Sequence, residues 1–136
     1  MKIGELAKKS GLSSHTLRFY EKSGLLRATT RTDNNYRVYS SGDLDTAIFI
    51  KRARAIGFGL DEVAVFLSIR SDLPAHVCAE AKGLADRKIV EVEQKMRELT
   101  QMLAALQKLS NACCGGNESA EQCTIIEALD QPPGAD

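Results

Sequence analysis

The chain has 136 residues, 43% of them hydrophobic and 26% charged, with a formal net charge of zero. This composition suits one soluble domain, or a small domain with an extension. It has no apolar run long enough to cross a bilayer and no long apolar stretch after Lys2, so no membrane segment or secretory signal is expected and the expected location is cytoplasmic. Zero net charge argues against a nucleic-acid partner only on average. Residues 1–70 carry 12 Lys and Arg against 7 Asp and Glu, and residues 71–136 carry 6 against 11. A basic half joined to an acidic half predicts two tasks on one chain.

Residues Ile3 to Ser10 read as a short helix with Ile3, Leu6 and Ala7 on one face. Gly11 permits a sharp turn, Ser13 or Ser14 caps a second helix to about Ser23, and Gly24 ends it. Two short helices around a glycine turn make a helix-turn-helix signature. Asp33-Asn34-Asn35 is a turn cluster flanked by Thr29, Thr30, Tyr36, Val38 and Tyr39, which predicts a hairpin, or wing, bearing Arg27, Arg31 and Arg37. Ser40 and Asp43 have capping-box spacing before a helix to about Ile56, which Gly57 and Gly59 break. Asp61 and Glu62 open a further helix with Val63, Phe66 and Leu67 on its buried side, and Leu73-Pro74 marks a boundary.

One long helix is predicted from about Cys78 to Ala112. Along it Ala85, Ile89, Val92, Met96, Leu99, Leu103 and Leu106 alternate spacings of four and three, a heptad seam that predicts a coiled-coil partner. The organisation read from the sequence is a DNA-binding domain over 1–70, a hinge over 71–80, a dimerisation helix over 81–112, and a loop, short helix and tail over 113–136. Thr124 is placed to cap the short helix, with Ile125, Ile126 and Leu129 as its anchors, and the tail from Asp130 is expected to fray.

In a helix-turn-helix the second helix shows its first side chains to base edges in the major groove. Here those are Ser14, His15, Thr16 and Arg18. The Tyr20 ring packs inward with its hydroxyl available to a phosphate, and Arg31, Tyr36, Arg37 and Tyr39 on the wing are placed to contact the DNA backbone.

Four cysteines, Cys78, Cys113, Cys114 and Cys123, occur with no sign of an oxidising compartment, which favours metal or redox chemistry over disulfides. Cys113 and Cys123 bracket a loop whose Gly115-Gly116 lets the backbone turn both thiolates towards one ion. Thiolates select Zn²⁺, Cd²⁺, Pb²⁺, Hg²⁺ or Cu⁺. An iron–sulfur redox sensor fits the spacing poorly. Nothing supplies the Asp, Glu and His set of a zinc hydrolase, so no enzyme is expected.

The segments IGELAKKSGLSSHTLRFYEKSGLL, NNYRVYSSGDL and RARAIGFGLDEV resemble the N-terminal domain of MerR-family regulators, and the long helix with its terminal cysteine loop resembles the family's metal-sensing branch. The resemblance implies a mainly α fold: a winged helix-turn-helix domain, a long antiparallel coiled-coil dimerisation helix and a C-terminal metal-binding loop. It implies a homodimer on double-stranded promoter DNA, which bends and untwists an overlong spacer so that RNA polymerase can use it. In an antiparallel dimer the start of one long helix lies near the end of the other, so Cys78 can join the partner subunit's loop beside Cys114. By resemblance, copper sensors carry Ser at the Cys78 position, whereas zinc, cadmium and lead sensors carry Cys. HVCAEAKGLAD and NACCGGN are most similar to the zinc sensors, making Zn²⁺ the expected ion, with a Cd²⁺- or Pb²⁺-selective or a Cu⁺-responsive regulator of the same family as alternatives. Those regulators often place a His where this chain has Glu118, leaving His76, Glu118, Glu121 or an anion to complete the shell. The expected target is a gene for a metal-exporting pump.

Overall fold

A computed structural model describes residues 1–131. The predicted fraying of the tail falls mostly on residues 132–136, outside the described residues. Two compact units divide the chain, Met1–Lys88 and Ile89–Asp136.

The first unit begins with α1 (Ile3–Ser10) and α2 (Ser14–Lys22). Gly11, at φ 76°, takes the left-handed conformation that turns one helix into the other, and its N–H closes α1 on the Ala7 carbonyl. Of the two serines able to cap α2, Ser13 does so, accepting from the Thr16 N–H at 3.0 Å. The wing pairs β1 (Thr30–Arg31) with β2 (Arg37–Val38) in antiparallel register, Thr30 opposite Val38 and Arg31 opposite Arg37. Its tip needs a positive φ at Asn35 (64°), which Asn tolerates.

The Ser40–Asp43 capping box then starts α3 (Ser41–Ala55), and α4 (Leu60–Ser71) follows the glycine break. Glu62 reaches back to the Gly59 N–H at 2.8 Å, so the start of α4 is also held by a side chain. A 3-10 turn at Leu73–Ala75 leads into α5 (Cys78–Ala112), whose first turns belong to this unit. Leu6, Leu17, Leu26, Tyr39, Ile50 and Val63 are fully buried, and Phe58 meets Phe66 edge-on at 4.8 Å. Each buried aliphatic contributes about 1.5–3 kcal/mol of transfer free energy, so α1 to α4 and the start of α5 are fixed to the same core.

The second unit contains the rest of α5, a 3-10 turn at Ala120–Gln122 and α6 (Thr124–Leu129). Along α5, Ile89, Val92, Met96, Leu99, Leu103 and Leu106 are all exposed on the single chain, Leu99 at 62%. Water-facing leucines repeated at heptad spacing are the mark of a helix made for a second helix. Thr124 does not cap α6: Cys123 occupies the N-cap position, and the Thr124 hydroxyl donates instead to the Ala112 carbonyl at 2.8 Å. Nor do Ile126 and Leu129 anchor α6 within the chain, since they are 50% and 69% exposed. A hydroxyl one residue inside the helix is past the capping position, and here it ties the two ends of the cysteine loop together.

Candidate functional site

The capping of α2 by Ser13 fixes which side of that helix faces out. Leu17 and Tyr20 turn into the core, while His15 and Arg18 are exposed, with Lys22 four residues beyond Arg18 on the same side. Ser14 and Thr16 are half-buried, and the Thr16 hydroxyl accepts from Ser13 Oγ at 2.8 Å. Arg18, Lys22, Arg27, Arg31 and Arg37 line one cleft of about 570 Å³, in which Glu21 is the acidic lining residue. The structure thus brings together three of the arginines expected at DNA and adds Lys22 and Arg27. The spacing from Arg18 is the sequence signal for Lys22, and Arg27 reads with the basic residues of the wing without being assigned a DNA contact.

The wing register sets Arg31 directly across from Arg37. Like charges facing each other weaken a strand pair, so this arrangement favours an anionic partner over the stability of the wing itself. Arg31 donates to Asn35 Oδ1 at 3.2 Å, and Arg37 pairs through Nε with Glu21 at 2.6 Å. Tyr36 is 60% exposed, with the Lys2 ammonium 5.2 Å from its ring centre.

Tyr39 differs from its expected place. It is buried, its hydroxyl donates to Glu21, and its backbone N–H donates to the Met1 carbonyl at 2.6 Å. Burial, reinforced by the Glu21 carboxylate, raises its pKa well above the ordinary tyrosine value. The residue after Val38 turns inward, and a large ring in a small domain contributes more as core than at the surface. Tyr20 is buried like Tyr39, its ring packed inward as expected.

The second unit holds a cleft of about 570 Å³ lined by Cys113, Cys114 and Cys123 together with Glu118 and Glu121. Gly115, at φ 74°, turns the chain just after the cysteine pair. The thiols of Cys113 and Cys123 lie side by side, ten residues apart in sequence. Backbone amides of Ile126 and Ile125, at the start of α6, lower the pKa of Cys123, and the Cys113 thiol lowers it further. All four cysteines are free. Three thiols lining one cleft are a fitting partial donor set for a soft or borderline cation. Among the described residues, however, no group of three or more His, Cys, Asp or Glu side chains is placed to hold an ion.

Two of the expected ligands belong to the first unit. Cys78 is exposed as the first residue of α5, and His76 Nδ1 lies 2.8 Å from Glu80, whose carboxylate also accepts from the Val77 N–H. His76 thereby joins the start of α5.

The family described as MerR family regulatory protein matches residues 2–39, and that described as MerR, DNA binding matches residues 44–109. The HTH-type transcriptional regulator ZntR of Escherichia coli K12 is 42% identical over 130 residues, spanning 96% of this chain and 92% of the relative. CueR of Yersinia pestis is 38% identical over 129 residues, spanning 95% and 91%. The structure of the transcription regulator PbrR691 from Ralstonia metallidurans CH34 in complex with lead(II) superposes with a TM-score of 0.82 at 37% identity, covering 95% of this chain and 98% of that one. These relatives are transcriptional regulators rather than enzymes, and with a helix-turn-helix, a wing and a long exposed-stripe helix in matching order the chain belongs to the MerR family of DNA-binding transcriptional regulators.

Proposed function

We propose that the protein is a metal-responsive transcriptional activator, a homodimer that binds promoter DNA through α2 and the wing and answers to Zn²⁺, or to the related ions Cd²⁺ or Pb²⁺. The observation that carries the reading is the cleft that gathers Cys113, Cys114 and Cys123 with Glu118 and Glu121. Two sulfurs satisfy Cu⁺, whereas Zn²⁺ takes four ligands. Cys78 is a further thiol, and an antiparallel pairing of α5 helices brings Cys78 of one subunit towards the loop of the other. Cys114 and Cys78, as third and fourth sulfurs, favour a divalent ion, in keeping with the lead(II) bound by the PbrR691 relative. Glu118 or Glu121, lining the same cleft, supplies a carboxylate oxygen to the shell.

The exposed heptad stripe of α5 supports the homodimer. The arginine-rich cleft supports the phosphate contacts, and His15 and Arg18 are the side chains offered to base edges. A bound cation would gather thiolates from both subunits, and the two DNA-binding lobes, moving with α5, would bend and untwist the promoter spacer for RNA polymerase.

Cd²⁺ reports on the sulfur set directly, through the ultraviolet charge-transfer band of thiolate-bound metal. Intact dimer should develop the band at one equivalent per site, and Cys113→Ser, Cys123→Ser and Cys78→Ser should each reduce it and abolish metal-induced transcription while operator binding persists. An undiminished band in all three variants, or loss of operator binding in all three, would overturn the proposal.

A further inference from the structure

Glu21 is the one carboxylate lining a cleft otherwise rich in arginine and lysine, on the face assigned to DNA. Its position is unfavourable on three counts. It lies in the last turn of α2, where the helix dipole disfavours negative charge. Its side chain is only 11% exposed, so it is largely desolvated. It would also repel phosphates bound in the same cleft. A surface carboxylate with no other role would be replaceable here at a gain in DNA affinity.

Two contacts offset these terms. Glu21 Oε2 pairs with Arg37 Nε at 2.6 Å, and Oε1 accepts from the buried Tyr39 hydroxyl. Both partners sit on the wing side of the domain, Arg37 in β2 and Tyr39 just after it. The carboxylate therefore clamps the last turn of the recognition helix to the returning strand of the wing. An ion pair made through Nε is compatible with donation from the two terminal guanidinium nitrogens to another acceptor. Arg37 keeps a side-chain exposure of 43%, so that edge is reachable by a phosphate oxygen. Across the ladder Arg31 pushes against Arg37, and Glu21 is the group that opposes this repulsion.

We infer that Glu21 is a positioning residue for DNA binding: its negative charge fixes the wing's Arg37 at the angle that meets the phosphate backbone, so that removing this charge weakens binding. The inference rests on the reading of α2 and the wing as the DNA interface.

The test uses the full-length protein and an operator duplex, with Glu21→Gln, Arg37→Ala and the double variant compared at several salt concentrations. Glu21→Gln should raise the dissociation constant roughly two- to fivefold and lower the salt slope towards that of Arg37→Ala. In the Arg37→Ala background the same substitution should leave binding unchanged or tighten it, because the carboxylate then has nothing to position and only repels phosphate. A folding defect alone would lower the active fraction and leave the slope intact. Glu21→Gln binding as tightly as the parent, or weakening the Arg37→Ala protein by a further equal factor, would overturn the inference while the DNA interface itself stands. Arg37→Ala binding like the parent would overturn both.

Discussion

The two units of this chain spend their apolar residues in opposite ways. In the first unit, α1 to α4 and Tyr39, just after the wing, meet in one core, in which Leu6, Leu17, Leu26, Ile50 and Val63 are fully buried. In the second, Met96, Leu99, Met102, Leu103 and Leu106 of α5 remain more than half exposed, and the cysteine cleft gathers only part of a coordination shell. A domain that completes itself is suited to recognising a fixed target such as a DNA groove. A segment left incomplete needs a second copy, an ion or both before it is satisfied, and stability that depends on a ligand is what a sensor requires.

Paired truncations test that contrast most strongly. Leu17→Ala in the first core should destabilise by about 2–5 kcal/mol in equilibrium denaturation, because it opens a cavity in packed surroundings. Leu103→Ala, at 55% exposure, should change stability by no more than about 0.5 kcal/mol if the single chain is the working form. If α5 is half of a coiled coil, the cost should instead approach that of Leu17→Ala and depend on protein concentration, with sedimentation shifting towards monomer.

Smaller effects come from the interface. Arg31→Ala should weaken binding to any duplex sequence and lower the slope of log affinity against log salt by about 0.9 for one lost phosphate contact. Arg18→Ala should lose discrimination between operator and random DNA more than overall affinity.

A modest effect is expected at acid pH. Its contact with the Gly59 N–H, then with Lys88 at 2.9 Å, lowers the pKa of Glu62 below its ordinary 4.5. A carboxylate with a depressed folded value contributes stability above its ordinary value and loses it as pH falls through the folded one. Melting curves of Glu62→Gln should therefore be flatter than those of the parent over the acid side of pH 4.5 and offset from them near neutrality. The smallest effect should be that of a chelator on the first unit, whose core contains no cysteine and should melt unchanged.

Much of this was legible in the residues. Serine and glycine punctuation located α1, the turn and α2, the Ser40–Asp43 box located α3, and the heptad located α5 from Cys78 to Ala112. These signals are local, and local chemistry decides them. What the sequence left ambiguous depends on neighbours distant along the chain. Tyr39 carries both a core-sized ring and a polar tip, and only the packing around it determines which one is used. Glu21 reads as an ordinary solvated helix charge until Arg37, sixteen residues on, is seen beside it. Thr124 looks like a cap until the last carbonyl of α5, at Ala112, takes its hydroxyl. The cysteine spacing pointed to thiolate chemistry, but not to the amides of α6 that favour the Cys123 thiolate.

The central claim is that thiolates of the second unit convert metal binding into transcription without governing DNA binding. Transcription in vitro, with purified dimer, operator template and RNA polymerase, tests this in one titration of Zn²⁺ with footprinting in parallel. The account predicts that transcript rises with metal while operator occupancy stays constant, and that Cys123→Ser keeps the occupancy and loses the rise. Transcript that is indifferent to Zn²⁺, Cd²⁺ and Pb²⁺ alike, or that follows occupancy at every point, would contradict it.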